Sequence, residues 1–164
     1  SVATTRDGLR LSVKRLQERQ SCQVLCEQFI VGREVRTAAI KGPGQDIYFL
    51  GASECHFGRA KPGWGFKTER MRSSNAPERD FGASSQRMPL SGSITKRLPE
   101  LTLDYLNALD IRGPATVDLR VSHEGEIFVV EVNANPGLSP FSQTWGGRRF
   151  RSNLLRIVAE GLSR

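Results

Sequence analysis

The chain has 164 residues, with 24 Lys and Arg against 17 Asp and Glu, for a formal net charge of +7. Its 38% hydrophobic and 25% charged residues are ordinary for one globular domain able to own a core, which excludes an intrinsically disordered chain and a collagen-like fibre. No apolar run approaches the roughly 18 residues of a membrane-spanning helix; the best is Ile127-Phe128-Val129-Val130. The N-terminus, Ser1-Val2-Ala3-Thr4-Thr5, has neither an initiator Met nor an apolar signal core, as expected of a segment that starts inside a longer chain. The basic surplus suits any polyanion, whether nucleic acid, membrane surface or nucleotide phosphate, and does not choose among them. The 3 Cys and 2 His form no CxxC or HExxH pattern. An odd number of Cys fits reduced thiols and a cytoplasmic setting better than a disulfide scaffold.

In chain order, Thr4-Thr5-Arg6-Asp7 caps a short helix whose Leu9, Val13 and Leu16 share one face. Val24 to Ile30 and Glu34 to Ile40 read as strands joined by the turn Val31-Gly32-Arg33, and Lys41-Gly42-Pro43-Gly44 ends the second. Ile47 to Leu50 reads as a third strand, with a continuation from Glu54 to Phe57. Residues 58–93 are rich in Gly, Ser, Pro and Arg and show no period, the character of a lid or long functional loop. Helical pattern returns from Ile94 to Asp110, with Pro99 expected in the first turn. Ala115 to Val121 and Ile127 to Asn133 read as strands, Ala134 to Gly147 as a loop, and Phe150 to Leu162 as a closing amphipathic helix. The expected class is α+β, an antiparallel sheet with packed helices.

The last hairpin carries the chemistry. With Glu124-Gly125 as its turn, Asp118 falls directly opposite Glu131 and Asn133 projects from the same face. Opposed carboxylates repel, so something positive must compensate. One reading is a cation held by hard oxygens, which suits Mg²⁺ or Mn²⁺ with phosphates and waters completing the shell. The other is an ion pair with Arg120, on the same face, or with another Arg.

The segment Glu131-Val132-Asn133-Ala134-Asn135-Pro136-Gly137-Leu138 resembles the metal-binding stretch of the ATP-grasp superfamily, in its D-alanine–D-alanine ligase branch. Ala115-Thr116-Val117-Asp118-Leu119-Arg120-Val121 is similar to the strand preceding it. The resemblance implies Asp118, Glu131 and Asn133 as ligands of the Mg²⁺ ions that bridge the ATP phosphates. Leu25-Cys26-Glu27-Gln28-Phe29-Ile30-Val31-Gly32-Arg33-Glu34-Val35 resembles the family's hinge strand. That implies Glu27 and the backbone of Phe29 and Ile30 at the adenine, and Glu34 at the ribose hydroxyls. Trp64-Gly65-Phe66-Lys67 resembles the segment whose lysine meets the phosphates. Gly137 and Ser142 lie where the family's acceptor loop holds its substrate, and Ser1-Val2 is similar to the end of its phosphate loop.

One departure stands out. Family members carry an Arg two residues before the first metal Asp, where it steadies the tetrahedral transition state, and this chain has Thr116 there. Arg120 is the candidate substitute. The resemblance spans nearly the whole chain as the later half of such a ligase, an incomplete ATP-grasp domain without the N-terminal substrate domain. The implied activity is ATP-dependent carboxylate–amine ligation of amino acids or peptides through an acylphosphate. The alternatives are a truncated, non-catalytic nucleotide-binding fragment and a basic polyanion-binding module. Nucleic acid and membrane are not expected partners, and a homodimer is left open.

Overall fold

The computed structural model describes residues 2–42, 47–58, 60–67, 82–89, 92–137, 144 and 150–162. The elements in chain order are α1 (Arg6–Gln20), β1 (Gly32–Lys41), β2 (Ile47–Phe57), β3 (Ala83–Arg87), α2 (Ser93–Ala108), β4 (Gly113–Ser122), β5 (Ile127–Asn133) and α3 (Phe150–Leu162). The strands form one five-stranded sheet in the order β3-β2-β1-β4-β5, with each neighbouring pair antiparallel. The expected α+β architecture is the observed one.

Strand alternation sorts the sheet into two faces. On one face Val35, Ala39, Val117, Leu119 and Val121 pack with Leu98 and Leu106 of α2 as the main core. Each fully buried Leu contributes roughly 2 kcal/mol. Thr37 and Thr102 are fully buried at this contact and share a 2.8 Å hydroxyl–hydroxyl bond, while Thr102 also donates to the Leu98 carbonyl at 2.6 Å. On the opposite face a smaller cluster of Ala38, Ile40 and Leu50 packs with Ile157 of α3. The rest of that face, toward Glu34, Arg36 and Asp118, is polar and carries the candidate site.

Helix α1 starts where expected. Thr5 caps it by accepting from the Gly8 amide at 3.1 Å, and Ser21 ends it in the left-handed region. It has no buried residue among those described.

Several local expectations are corrected. Residues 23–31 form no ladder; β1 pairs instead with β2 and β4. The Ile30 carbonyl is taken by a side chain, Arg120, which also reaches the carbonyl of Gly32 at the start of β1. The third strand runs unbroken from Ile47 to Phe57. Within the stretch read as a structureless lid, Ala83–Arg87 adds an edge strand on β2; residues 68–81 lie outside those described. Pro99 sits well inside α2 and not in its first turn, which begins at Ser93.

The β4–β5 turn also differs. Ser122 pairs with Glu126 through Ser122 N–H to Glu126 O at 2.9 Å, so His123, Glu124 and Gly125 together form the loop. Gly125 takes φ +85°, the left-handed residue that such a loop requires. This longer loop shifts the ladder by one residue relative to the expected pairing. A β-bulge at Val130 then shifts it back, and Asp118 does face Glu131, as the sequence predicts.

Candidate functional site: a carboxylate face and an arginine-tied aromatic pocket

Two neighbouring groups of residues occupy the polar face. The first is built by β1, β4 and β5. Asp118 is directly opposite Glu131, and Thr116 is opposite Asn133, so all four side chains share one patch at the end of the hairpin. The Asn133 side chain accepts from the Asn135 amide at 2.9 Å, turning the chain just after the strand. Asp118 is also paired on its other side with Arg36 of β1, whose Nε and Nη2 donate to its two carboxylate oxygens at 2.5 and 2.7 Å.

The residues fit a divalent cation by their donor chemistry. Asp118, Glu131 and Asn133 offer hard oxygens with no thiolate or imidazole, the donor set that Mg²⁺ prefers. Among the described residues no group of three His, Cys, Asp or Glu converges on one point. An ion here would therefore draw part of its shell from phosphates and water, as Mg²⁺ commonly does.

The second group surrounds Glu34. Its Oε2 lies 3.7 Å from Arg120 Nη1 and accepts from the Lys67 amide at 3.2 Å. Burial pushes the Glu34 carboxyl up; the Lys67 amide and charge and the Arg120 guanidinium pull it back, while Asp118 adds to the rise. Phe29 stacks on Trp64 with ring centres 5.4 Å apart and meets Phe66 edge-on at 5.8 Å. Lys61 lies over the Trp64 ring at 5.8 Å.

Close approach of backbone makes this cluster. Gly63 has φ +75°, and its carbonyl accepts from the Gly32 amide at 2.9 Å. At Gly65 a Cβ would stand 2.3 Å from the Phe57 ring, so only glycine lets the strand β2 and the 63–67 segment touch.

The sequence-predicted residues are distributed as follows. Glu34 accepts from the Lys67 amide, and Phe29 and Ile30 join the same cluster through Trp64 and Arg120. Glu27 is exposed. Asp118, Glu131 and Asn133 form the adjoining patch, and Gly137 follows it, exposed. Ser142 and Ser1 lie outside the described residues.

Arg120 is corrected on one point. The ion-pair partner of Asp118 is Arg36, and four of the Arg120 hydrogen bonds go to backbone carbonyls. Sequence reasoning did not single out Arg36 or the Phe29–Trp64–Phe66 cluster. The signal for Arg36 was present, because it lies two residues from Glu34 in a strand and therefore shares its face. The aromatic cluster had no comparable signal, since its members come from two segments without regular structure.

A separate cleft of about 450 Å³ opens on the opposite face, beside the start of α2, between Arg33, Glu54, His56, Met88 and Ile94. It contains none of the residues of the carboxylate patch.

Comparison with known proteins supplies context. Residues 1–146 match the family described as D-ala D-ala ligase C-terminus. The D-alanine–D-alanine ligase of Aquifex aeolicus is 26% identical over 129 residues, covering 73% of this chain and 36% of that protein. The enzyme of the same name from Lactiplantibacillus plantarum is 40% identical over 53 residues, covering 32% of this chain and 14% of that protein. Among solved structures, the Bacillus anthracis D-alanine–D-alanine ligase complexed with ATP superposes with a TM-score of 0.72 at 19% identity. That superposition covers 99% of this chain and 50% of the ligase. The Vibrio cholerae D-alanyl-alanine synthetase A gives 0.67 at 24% identity, with 99% and 48% coverage. These superpositions share the fold. The chain spans about a third or less of the length of these curated relatives and half of the solved ones.

Proposed function

The chain belongs to the family of D-alanine–D-alanine ligase C-terminal domains, and from that premise we propose that it binds ATP and Mg²⁺ on the polar face of its sheet. In this reading it is the nucleotide-binding part of an ATP-grasp ligase that joins a carboxylate to the amine of an amino acid or peptide in the cytoplasm. The observation that carries the reading is the registered pair Asp118–Glu131, two like charges facing each other beside a partly buried Glu34.

Each end of the nucleotide has its residues. The backbone at Phe29 and Ile30 meets the adenine edge, with Glu27 beside it. Glu34 accepts from the ribose hydroxyls, a task suited to a carboxylate. Lys67, whose backbone amide donates to Glu34, would bring its ammonium to the phosphates. Asp118, Glu131 and Asn133 hold the cation, which when bound neutralises charge developing on the transferred phosphoryl group.

The chemistry this face would serve balances in two steps. A donor carboxylate oxygen attacks the γ-phosphorus, the bond to the β–γ bridging oxygen breaks, and ADP leaves. The acceptor nitrogen then attacks the acyl carbon, the carbon–oxygen bond to phosphate breaks, and the nitrogen gives up a proton to solvent. The products are an amide, ADP and phosphate. Gly137 and Ser142 would face the acceptor. Thr116, in place of the family arginine, argues for an acceptor or donor other than the usual pair of D-alanines.

Calorimetric titration tests the reading. ATP is expected to bind with Mg²⁺ present and at least tenfold more weakly with the metal chelated. ADP release is then followed with D-alanine and with other amino acids. Equal binding of ATP and of a random polyanion, lost in moderate salt, would support the basic-module reading instead.

A further inference from the structure

Arg120 is 6% exposed and makes four hydrogen bonds, all to backbone carbonyls. Nε donates to Ile30 at 3.1 Å, Nη1 to Gly65 at 2.6 Å, and Nη2 to Gly32 at 3.0 Å and Gly63 at 2.9 Å. A guanidinium has only five N–H donors, so almost all of its capacity is committed. Its carbon lies 4.9 Å from the centre of the Phe29 ring, and Nη1 is 3.7 Å from Glu34. Three of the four acceptors, Ile30, Gly63 and Gly65, belong to two segments that have no strand or helix to hold them, and the fourth, Gly32, opens β1.

From this geometry we propose that Arg120 is a positioning residue for nucleotide recognition, building the base-and-ribose end of the site by tying those two segments together. The inference rests on the nucleotide-binding reading and deepens it. One side chain fixes the Ile30 carbonyl at the purine edge, clamps Phe29 between itself and Trp64, and orients Glu34 at the ribose. The carbonyl keeps one lone pair for a ligand, because an amide oxygen has two. Lysine cannot replace this arrangement: its ammonium has three donors and no plane to lay along the Phe29 ring.

The consequence is specific. Losing Arg120 should weaken recognition of the base and sugar while sparing the phosphates, which would be met through a cation held at the Asp118–Glu131 patch. An arginine with a merely structural role would weaken both ends together.

The test compares Mg²⁺–ATP with Mg²⁺–tripolyphosphate, titrated against the full chain and against Arg120→Lys. Binding is followed by the fluorescence of Trp64, which stacks on Phe29. The expected result is an ATP affinity lowered by about tenfold or more, the scale of a lost charged hydrogen bond, with tripolyphosphate affinity unchanged within about twofold. If Arg120→Lys does not melt cooperatively, Gly63→Ala is used, which strains one acceptor at φ +75° and leaves the arginine intact; the same selective loss is expected. Unchanged ATP affinity, or equal losses of ATP and tripolyphosphate, overturns the inference alone. A wild-type chain that binds tripolyphosphate and ATP equally, or neither, overturns the nucleotide reading beneath it.

Discussion

Asp118 sits between two charged neighbours on adjacent strands: Arg36 of β1 grips both its oxygens, and Glu131 of β5 faces it from the other side. The arrangement holds the Asp118 carboxylate already oriented. Arg36→Gln removes the only guanidinium shown on Asp118 among the described residues. Stability at neutral pH is expected to fall by roughly 1 kcal/mol, as for a partly exposed bidentate pair. A cation that binds the patch should restore most of it. Urea unfolding with and without Mg²⁺–ATP checks this; an unchanged midpoint without ligand would contradict it.

Glu34 gives a pH dependence with a definite sign. Burial raises its carboxyl above the ordinary value of 4.5, so the folded state binds this proton more readily than the unfolded chain. Its contribution to stability is fully present below pH 4.5 and is lost as pH rises through the raised value, above which it is flat. Glu34→Gln removes that loss. The variant should melt higher than the wild type at pH 7 and equally near pH 4, while ATP affinity falls about tenfold with the ribose acceptor gone. A variant that melts lower at pH 7 would show that Arg120 and Lys67 outweigh burial.

In the core, the buried Thr37–Thr102 pair predicts an asymmetry. Thr102 already donates to the Leu98 carbonyl, so the shared proton comes from Thr37. Thr102→Val leaves the Thr37 hydroxyl buried without its acceptor and should cost about 1–3 kcal/mol. Thr37→Val leaves Thr102 still bonded and should cost less than about 1 kcal/mol. Chemical denaturation of the two variants measures the difference, and equal costs would mean that the Thr37 proton finds another acceptor.

How much of this was legible in the sequence depended on whether local pattern or tertiary contact decided the outcome. The period of two in β4 and β5 placed Asp118, Glu131 and Asn133 on one face correctly. The pairing of Asp118 with Glu131 came out right for an incomplete reason: the loop takes in His123 as well, and the bulge at Val130 compensates. Both shifts are set by backbone geometry that alternation does not record. Val24 to Ile30 looked like a strand because apolar residues are spaced through it. Its end is instead organised by a distant guanidinium, ninety positions along the chain from Ile30. The edge strand Ala83–Arg87, with the sequence Ala-Ser-Ser-Gln-Arg, has no β-branched residue and no apolar alternation; β2 recruits it. Arg120 was seen as facing the site, but its burial and its four carbonyl partners follow only from the folded contacts.

The central claim is a nucleotide–metal site centred on Glu131 and Asp118. The most direct measurement is thermal stability of the chain with ATP and Mg²⁺ added separately and together, beside Glu131→Gln. A ligand that binds only the folded state adds about 2.7 kcal/mol at 100 times its dissociation constant. A clear rise in melting temperature is expected that needs both ligands in the wild type and disappears in Glu131→Gln. A rise of equal size in the variant, or none in a wild-type chain that melts cooperatively, would contradict it.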